Sequence, residues 1–315
     1  DLFEDRRWGR RLRDLRRLLV QHPRSLLHSL RDRHSHDDLQ RLCLFIGHGR
    51  SGSTLVASLL DAHPNIVLGQ EVDVLWHLGA GFQRRQILSL LRRSSRWFTE
   101  RQRRWEGYSY RVPGQWQGRS GIEKVIGDKK ASLTAIRLLF APDLLDRTRK
   151  RMGLPVSLVH VVRNPYDNIT TLARRWSAGG TCDGERLRLA IRHYFISAEV
   201  VERARRQGER IFTLRLEKLI ERPRERLRAL CGFLGVGTSP GYLDACAGVV
   251  FKHPRRTRSL LPWDDELLRL VQRSSLPFPY LRDYTFEDRP RERSPAGVQA
   301  ASRPERHRVP VPEGR

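Results

Sequence analysis

Short apolar runs alternate along this chain with longer stretches in which leucines recur at helical spacing. Leu42–Ile46, Val125–Ile126, Val156–Val162 and Arg210–Arg215 read as strands, the first and third of a buried type. Leu55, Val56, Leu59 and Leu60 follow the first strand on one helical face. Val72–Leu78, Ala131–Phe140, a segment from Ile169 or slightly earlier and Glu185–Arg206 also read as helices. This strand–helix order predicts an α/β fold of three layers, with a mostly parallel central sheet flanked by helices. Residues 1–40 stand apart. There Leu12, Leu15, Leu18 and Leu19 recur among arginines, which predicts a basic amphipathic helix, packed on the domain surface or touching an anionic membrane. Residues 41–288 form the expected domain. Residues 289–315 are rich in proline and arginine, lack aromatics and are expected to be disordered.

The turn after the first strand carries the clearest chemistry. Gly47-His48-Gly49-Arg50-Ser51-Gly52-Ser53-Thr54 joins a buried strand to a helix N-terminus, where backbone N–H groups and the helix dipole favour an anion. Gly47 and Gly52 have the spacing of a P-loop, but Ser53 stands where an ATPase carries lysine, and the cation is Arg50.

Charge changes the picture less than its size suggests. The formal net charge is +25 over 315 residues. Only six of the 60 basic residues are lysine, and the arginines are interleaved with acids along the whole chain. That pattern argues against dedicated nucleic-acid binding and fits an anionic nucleotide. The four cysteines have no metal-type spacing, and Cys43 and Cys231 lie in apolar segments, so a reducing compartment is expected. No apolar run approaches the ~20 residues of a membrane span. The chain opens on Asp1, which leaves a removed leader or anchor open.

The Gly-x-x-Arg-Ser-Gly-Ser-Thr-Leu loop resembles the 5′-phosphosulfate loop of sulfotransferases that use 3′-phosphoadenosine 5′-phosphosulfate (PAPS). Its continuation through Asp61-Ala62-His63-Pro64 to Gln70-Glu71 is most similar to the tyrosylprotein sulfotransferase branch and its bacterial relatives. Two further motifs carry the resemblance. Arg163 at a strand end with a hydroxyl eight positions on, here Thr171 in place of the usual serine, resembles the 3′-phosphate site. The stretch from Leu216-Glu217 through Pro223 to Phe233-Leu234-Gly235-Val236 resembles a third signature, with Glu217 near a helix start and Phe233 and Leu234 in the core. The resemblance covers roughly Leu42 to Asp288.

It implies a P-loop-like fold and metal-independent, in-line transfer of a sulfuryl group from PAPS to a hydroxyl or amine, leaving adenosine 3′,5′-bisphosphate. Arg50, Ser51, Gly52, Ser53 and Thr54 would hold the 5′-phosphosulfate, and Arg163 and Thr171 the 3′-phosphate. Lys252, Arg256 and Arg258 are candidates for closing that site. Arg50 and Lys129 would act on the transferring group, with the alternative that Lys129 and Lys130 are a solvated pair. Glu71, twenty-one positions after Arg50, would be the general base, with His63 and His77 as alternatives. The tyrosylprotein enzymes follow two glutamates with Thr-Arg; Val72-Asp73 stands here, which puts an acidic peptide acceptor in doubt. The aromatic, basic stretch Gln83–Gln117 shows no clean period and either lines an acceptor pocket or packs its aromatics structurally. The acceptor itself, whether glycan, phenol, lipid or peptide, stays open, as does the oligomeric state. A P-loop small-molecule kinase and a non-catalytic nucleotide- or polyanion-binding protein are the alternatives. The sequon Asn168-Ile169-Thr170 inside the 3′-phosphate motif argues for the cytoplasm, because a glycan there would block the site.

Overall fold

Five parallel strands carry the molecule: β1 (Arg41–Ile46), β2 (Ile66–Gln70), β5 (Val125–Lys129), β6 (Val156–Val162) and β7 (Ile211–Arg215), in the spatial order β2-β5-β1-β6-β7. A two-stranded antiparallel hairpin, β3 (Arg104–Trp105) and β4 (Tyr108–Ser109), lies outside the sheet. The computed structural model describes residues 17–31, 37–177 and 184–287. The expected tail at 289–315, Leu12, Leu15 and Cys182 lie outside them.

Alternation along the strands feeds two cores. Cys43 and Phe45 of β1 pack with the helix α2 (Ser53–Leu60) and with Leu227, Leu230 and Leu234. Leu42, Leu44 and Ile46 pack on the other face against α3 (Val74–Gly79), α4 (Arg84–Glu100), α5 (Ala131–Phe140) and α6 (Leu144–Met152). This is the three-layer α/β arrangement, with an entirely parallel central sheet. A third cluster joins α7 (Pro165–Trp176) and α8 (Gly184–Arg206) to the C-terminal helix Asp265–Ser275.

Several elements depart from the sequence reading. Arg84–Glu100 is a seventeen-residue helix inside the stretch that shows no clean period. Its buried face holds Gln86, Ser89, Arg92 and Ser95 among Ile87, Leu88 and Leu91, so polar residues mask the apolar stripe. Arg92 is tolerated there because its guanidinium meets Glu123 at 2.7 Å. Ile66–Gln70 is an additional strand, buried at every position. Helix α7, by contrast, starts at Pro165, slightly before Ile169 as expected, with Asn164 Oδ1 accepting the N–H of Tyr166. Phe233 is only partly buried, while Leu234 is in the core.

The N-terminal segment includes α1 (His22–Arg31), which packs on α4. Polar groups make that contact. Gln86 Nε2 donates to His22 O at 3.2 Å and to Ser25 Oγ at 3.0 Å. The side chains of Leu19, Leu26, Leu27 and Leu30 are exposed. No helix among the described residues is long and apolar enough to cross a membrane.

Candidate active site

Parallel strands place their C-terminal ends along one edge, where ligands of open α/β sheets bind. A cavity of about 1120 Å³ opens there, lined among others by Arg50, Thr54, Glu71, Lys129, Arg163 and Thr171. Residues separated by more than a hundred positions are thus gathered by sheet register.

The loop after β1 has the expected form. Gly52 caps α2 with φ of 93°, and a Cβ there would sit 2.8 Å from Leu216. Gly47, at φ 109°, is likewise closed to a side chain by His160 at 2.5 Å. Among the described residues no side chain caps α2, so its first N–H groups remain available to an anion. Ser53 and Thr54 line the cavity. Ser51 turns inward and donates to His48 O at 3.0 Å, so only its backbone amide belongs to the cradle. Arg50, itself at φ 65°, forms an ion pair with Glu106 at the tip of the hairpin. The Glu106–Gly107 pair has positive φ at both residues, 48° and 82°, as a tight hairpin turn requires. Arg50 Nε is buried and has no partner among the described residues.

Glu71 stands at the end of β2, and Gln70 is in register with Lys129 at the end of β5. Lys129 Nζ donates to Glu71 Oε1, and Lys130 Nζ lies 2.6 Å from Glu71 Oε2. The two lysines are therefore no solvated pair: Lys129 is 3% exposed. Burial pushes the Glu71 carboxyl up, but the charges and hydrogen bonds of Lys129 and Lys130 outweigh it and hold the group below its ordinary value. Burial lowers the pKa of Lys129, with Glu71 offsetting only part of the effect.

Glu71 and Asp73 have positive φ, 58° and 70°, uncommon for residues with side chains. Asp128 holds this strained turn. Its carboxylate accepts N–H groups of Val72 at 3.0 Å, Asp73 at 2.7 Å and Val74 at 3.1 Å. Asp73 is buried and ion-paired with Arg137 at 2.5 Å, so this acid serves the fold.

Arg163 and Thr171 are also brought together. Arg163 Nη1 reaches Thr171 Oγ1 at 3.4 Å, and Thr171 lies 3.0 Å from Thr257 Oγ1. Arg163 Nη2 donates to Arg255 O and, at 3.4 Å, to Thr257 Oγ1. Of the three cations offered for closing this site, Arg258 is committed elsewhere: it pairs with the buried Asp167 at 2.6 Å. Lys252 and Arg256 do not line the cavity, whereas His253 and Arg255 do.

The alternative bases His63 and His77 both have hydrogen-bond partners. His63 bonds Gly237 O at 2.6 Å and takes the N–H of Asn65 on its other nitrogen. His77 contacts Asp73 O at 3.0 Å and Gln21 at 3.3 Å. Neither lines the main cavity, whereas His77 lines a second one beside Glu71. From the aromatic stretch, Trp105, Tyr108 and Tyr110 do line it, Trp97 lines a second cavity, and Trp116 lines neither. Burial pushes the Tyr110 phenol up to about 12. Sequence reasoning missed Asp128, Glu106 and Thr257. Only Asp128 left a signal, as the neighbour of Lys129 in Gly127-Asp128-Lys129-Lys130.

No protein-family model and no curated protein matches this sequence. Among solved structures, the chain is similar to the sulfotransferase domain of a Synechococcus olefin synthase, at 19% identity and a TM-score of 0.48, covering 78% of this chain and 97% of that one. It is similar to the sulfotransferase domain from the curacin biosynthetic pathway, again at 19% identity and a TM-score of 0.48, over 76% of this chain and 97% of that one. A mouse sulfotransferase in complex with PAP gives 14% identity and a TM-score of 0.39, over 67% and 65% of the two chains.

Proposed function

We propose that the chain is a PAPS-dependent sulfotransferase. The observation that carries this reading is the Glu71–Lys129 pair set in one cavity with two separate anion sites, the loop at Arg50 and the Arg163–Thr171 pair. One anion site would serve any phosphate. Two of them, flanking a base–cation pair whose lysine is buried, suit a nucleotide phosphorylated at both ends.

PAPS supplies an activated sulfuryl group when bound. The chain's own residues do the rest. Arg50, with its unpartnered Nε, and the amides from Ser51 to Thr54 bind the 5′ end. Arg163 offers a planar fork and Thr171 a hydroxyl to the 3′-phosphate. Lys129 donates to the oxygens on which charge develops. Glu71, ionised throughout the neutral range, accepts the proton of the incoming hydroxyl. A sulfuryl group carries less charge than a phosphoryl group, so no metal is assigned.

Calorimetric titration tests the reading. Adenosine 3′,5′-bisphosphate should bind without metal, and ATP with Mg²⁺ should bind far more weakly. The reverse order would point to the kinase reading and sink this one.

Two features bear on location. The buried side of α1 is made by serines, while Leu26, Leu27 and Leu30 are exposed beside Arg24, which supports peripheral contact with an anionic membrane. Asn168 is fully buried, so a glycan on its sequon is incompatible with this fold, which supports a cytoplasmic site.

A further inference from the structure

Glu71 lines two cavities. Besides the nucleotide cavity it borders a second of about 700 Å³, between the N-terminal segment and α4, within the usual size of small-ligand sites. We propose that this second cavity is the acceptor subsite and that it takes an anionic saccharide. The inference rests on the sulfuryl-transfer reading and adds the substrate class to it.

Position is the first argument. A base that borders both spaces can serve a donor in one and a hydroxyl arriving from the other. Charge is the second. Arg24 and Arg93 line the cavity, neither has an acidic partner among the described residues, and Glu71 is the only acid in its wall. Chemistry is the third. Trp97 is 44% exposed and offers a flat indole, with the Arg101 guanidinium 4.4 Å from the ring centroid. Around it Gln21, Ser25 and Ser94 alternate with Val20, Val72 and Leu90, a mixed wall that suits a ring with apolar faces and a polar rim. Gln70 also lines the cavity. Its side chain is nine-tenths buried, and its amide nitrogen has no partner among the described residues. An aromatic platform ringed by amides and guanidinia suits a pyranose ring bearing hydroxyls and a carboxylate.

The N-terminal segment is held in place for this role. His77 contacts Gln21 at 3.3 Å, and Gln86 anchors the start of α1 through His22 O and Ser25. One wall of the cavity therefore comes from outside the α/β layers.

The test uses uronate-containing di- and tetrasaccharides as probe, with their neutral counterparts and an acidic tyrosine-containing peptide as controls. Binding to the full chain is read by saturation-transfer NMR, and nucleotide binding separately by calorimetry. The uronate oligosaccharides should bind in preference to the neutral ones. Trp97→Ala and the double variant Arg24→Gln/Arg93→Gln should each weaken that binding by about tenfold or more, the loss of a charge-assisted contact or a stacking face, with nucleotide affinity unchanged. In turnover the same variants should raise KM and spare kcat. Uronate binding that is absent, or equal in wild type and variants, overturns the proposal, as does binding of the peptide alone. Failure of the nucleotide to bind would instead remove the sulfotransferase reading, and the two failures are read by different measurements.

Discussion

The guanidinium of Arg50 is paired with the carboxylate of Glu106, so the cation inside the phosphate loop is held by an acid from the hairpin tip. Glu106 also lies 3.8 Å from Arg175. An anion binding at the loop must compete with that carboxylate.

Glu106→Gln should therefore tighten binding of adenosine 3′,5′-bisphosphate. The pair is partly exposed, and such pairs contribute about 0.2–1 kcal/mol, so a gain of up to about fivefold is expected by calorimetry. Unchanged affinity would mean that Glu106 and the ligand do not compete for Arg50.

Arg163→Ala should weaken the same binding by about 1.5–3 kcal/mol, the range for a hydrogen bond to a charged group. Thr171→Val should have a smaller effect, roughly 0.5–1.5 kcal/mol, because one neutral donor is removed. Equal affinities in folded variants would take the 3′-phosphate away from this pair.

Glu71→Gln should leave nucleotide binding intact and lower turnover by about 10²–10⁴, read as release of adenosine 3′,5′-bisphosphate. The pH profile gives an independent check. Lys129 and Lys130 hold the Glu71 pKa below its ordinary value, so the base form persists through the neutral and mildly acid range. The acid limb of kcat/KM should fall below the ordinary range of a glutamate carboxyl. Lys129→Met removes one of those charges and should move the limb upward while lowering kcat by about 10²–10³. A limb near pH 6.5 in the wild type would indicate another base, of the histidine type.

His160 is buried under Gly47, and burial lowers its pKa to about 3. The unfolded value is about 6.5. Between these values the unfolded chain binds a proton that the folded chain refuses, so this contribution is complete above the unfolded pKa and declines as pH falls. The slope it adds is at most about 1.4 kcal/mol per pH unit. His160→Gln should flatten the stability curve below about pH 6.5 in urea unfolding. Parallel curves for the two proteins would show that His160 does not titrate in this way.

What the sequence by itself determined was local. The strand at Leu42–Ile46, the glycine turn and the helix beginning at Ser53 are written in adjacent residues, because apolar runs, positive-φ glycines and helix spacing act over a few positions. The same holds for Val156–Val162 and the helix Ala131–Phe140. Arg163 and Thr171 were paired only by the resemblance, since Arg163 stands between the strand and the helix that carries Thr171. Tertiary structure decided the remainder. The helix Arg84–Glu100 is hidden by buried polar residues whose partners, such as Glu123 for Arg92, lie on other elements. The Glu71–Lys129 contact depends on β2 pairing with β5 across nearly sixty residues, which no local pattern specifies. Arg258 carries the same positive charge in the sequence as Arg255, yet it is turned inward to Asp167 while Arg255 lines the cavity. Charge is a property of the residue. Which charge faces the ligand is set by the partners that the fold brings within reach.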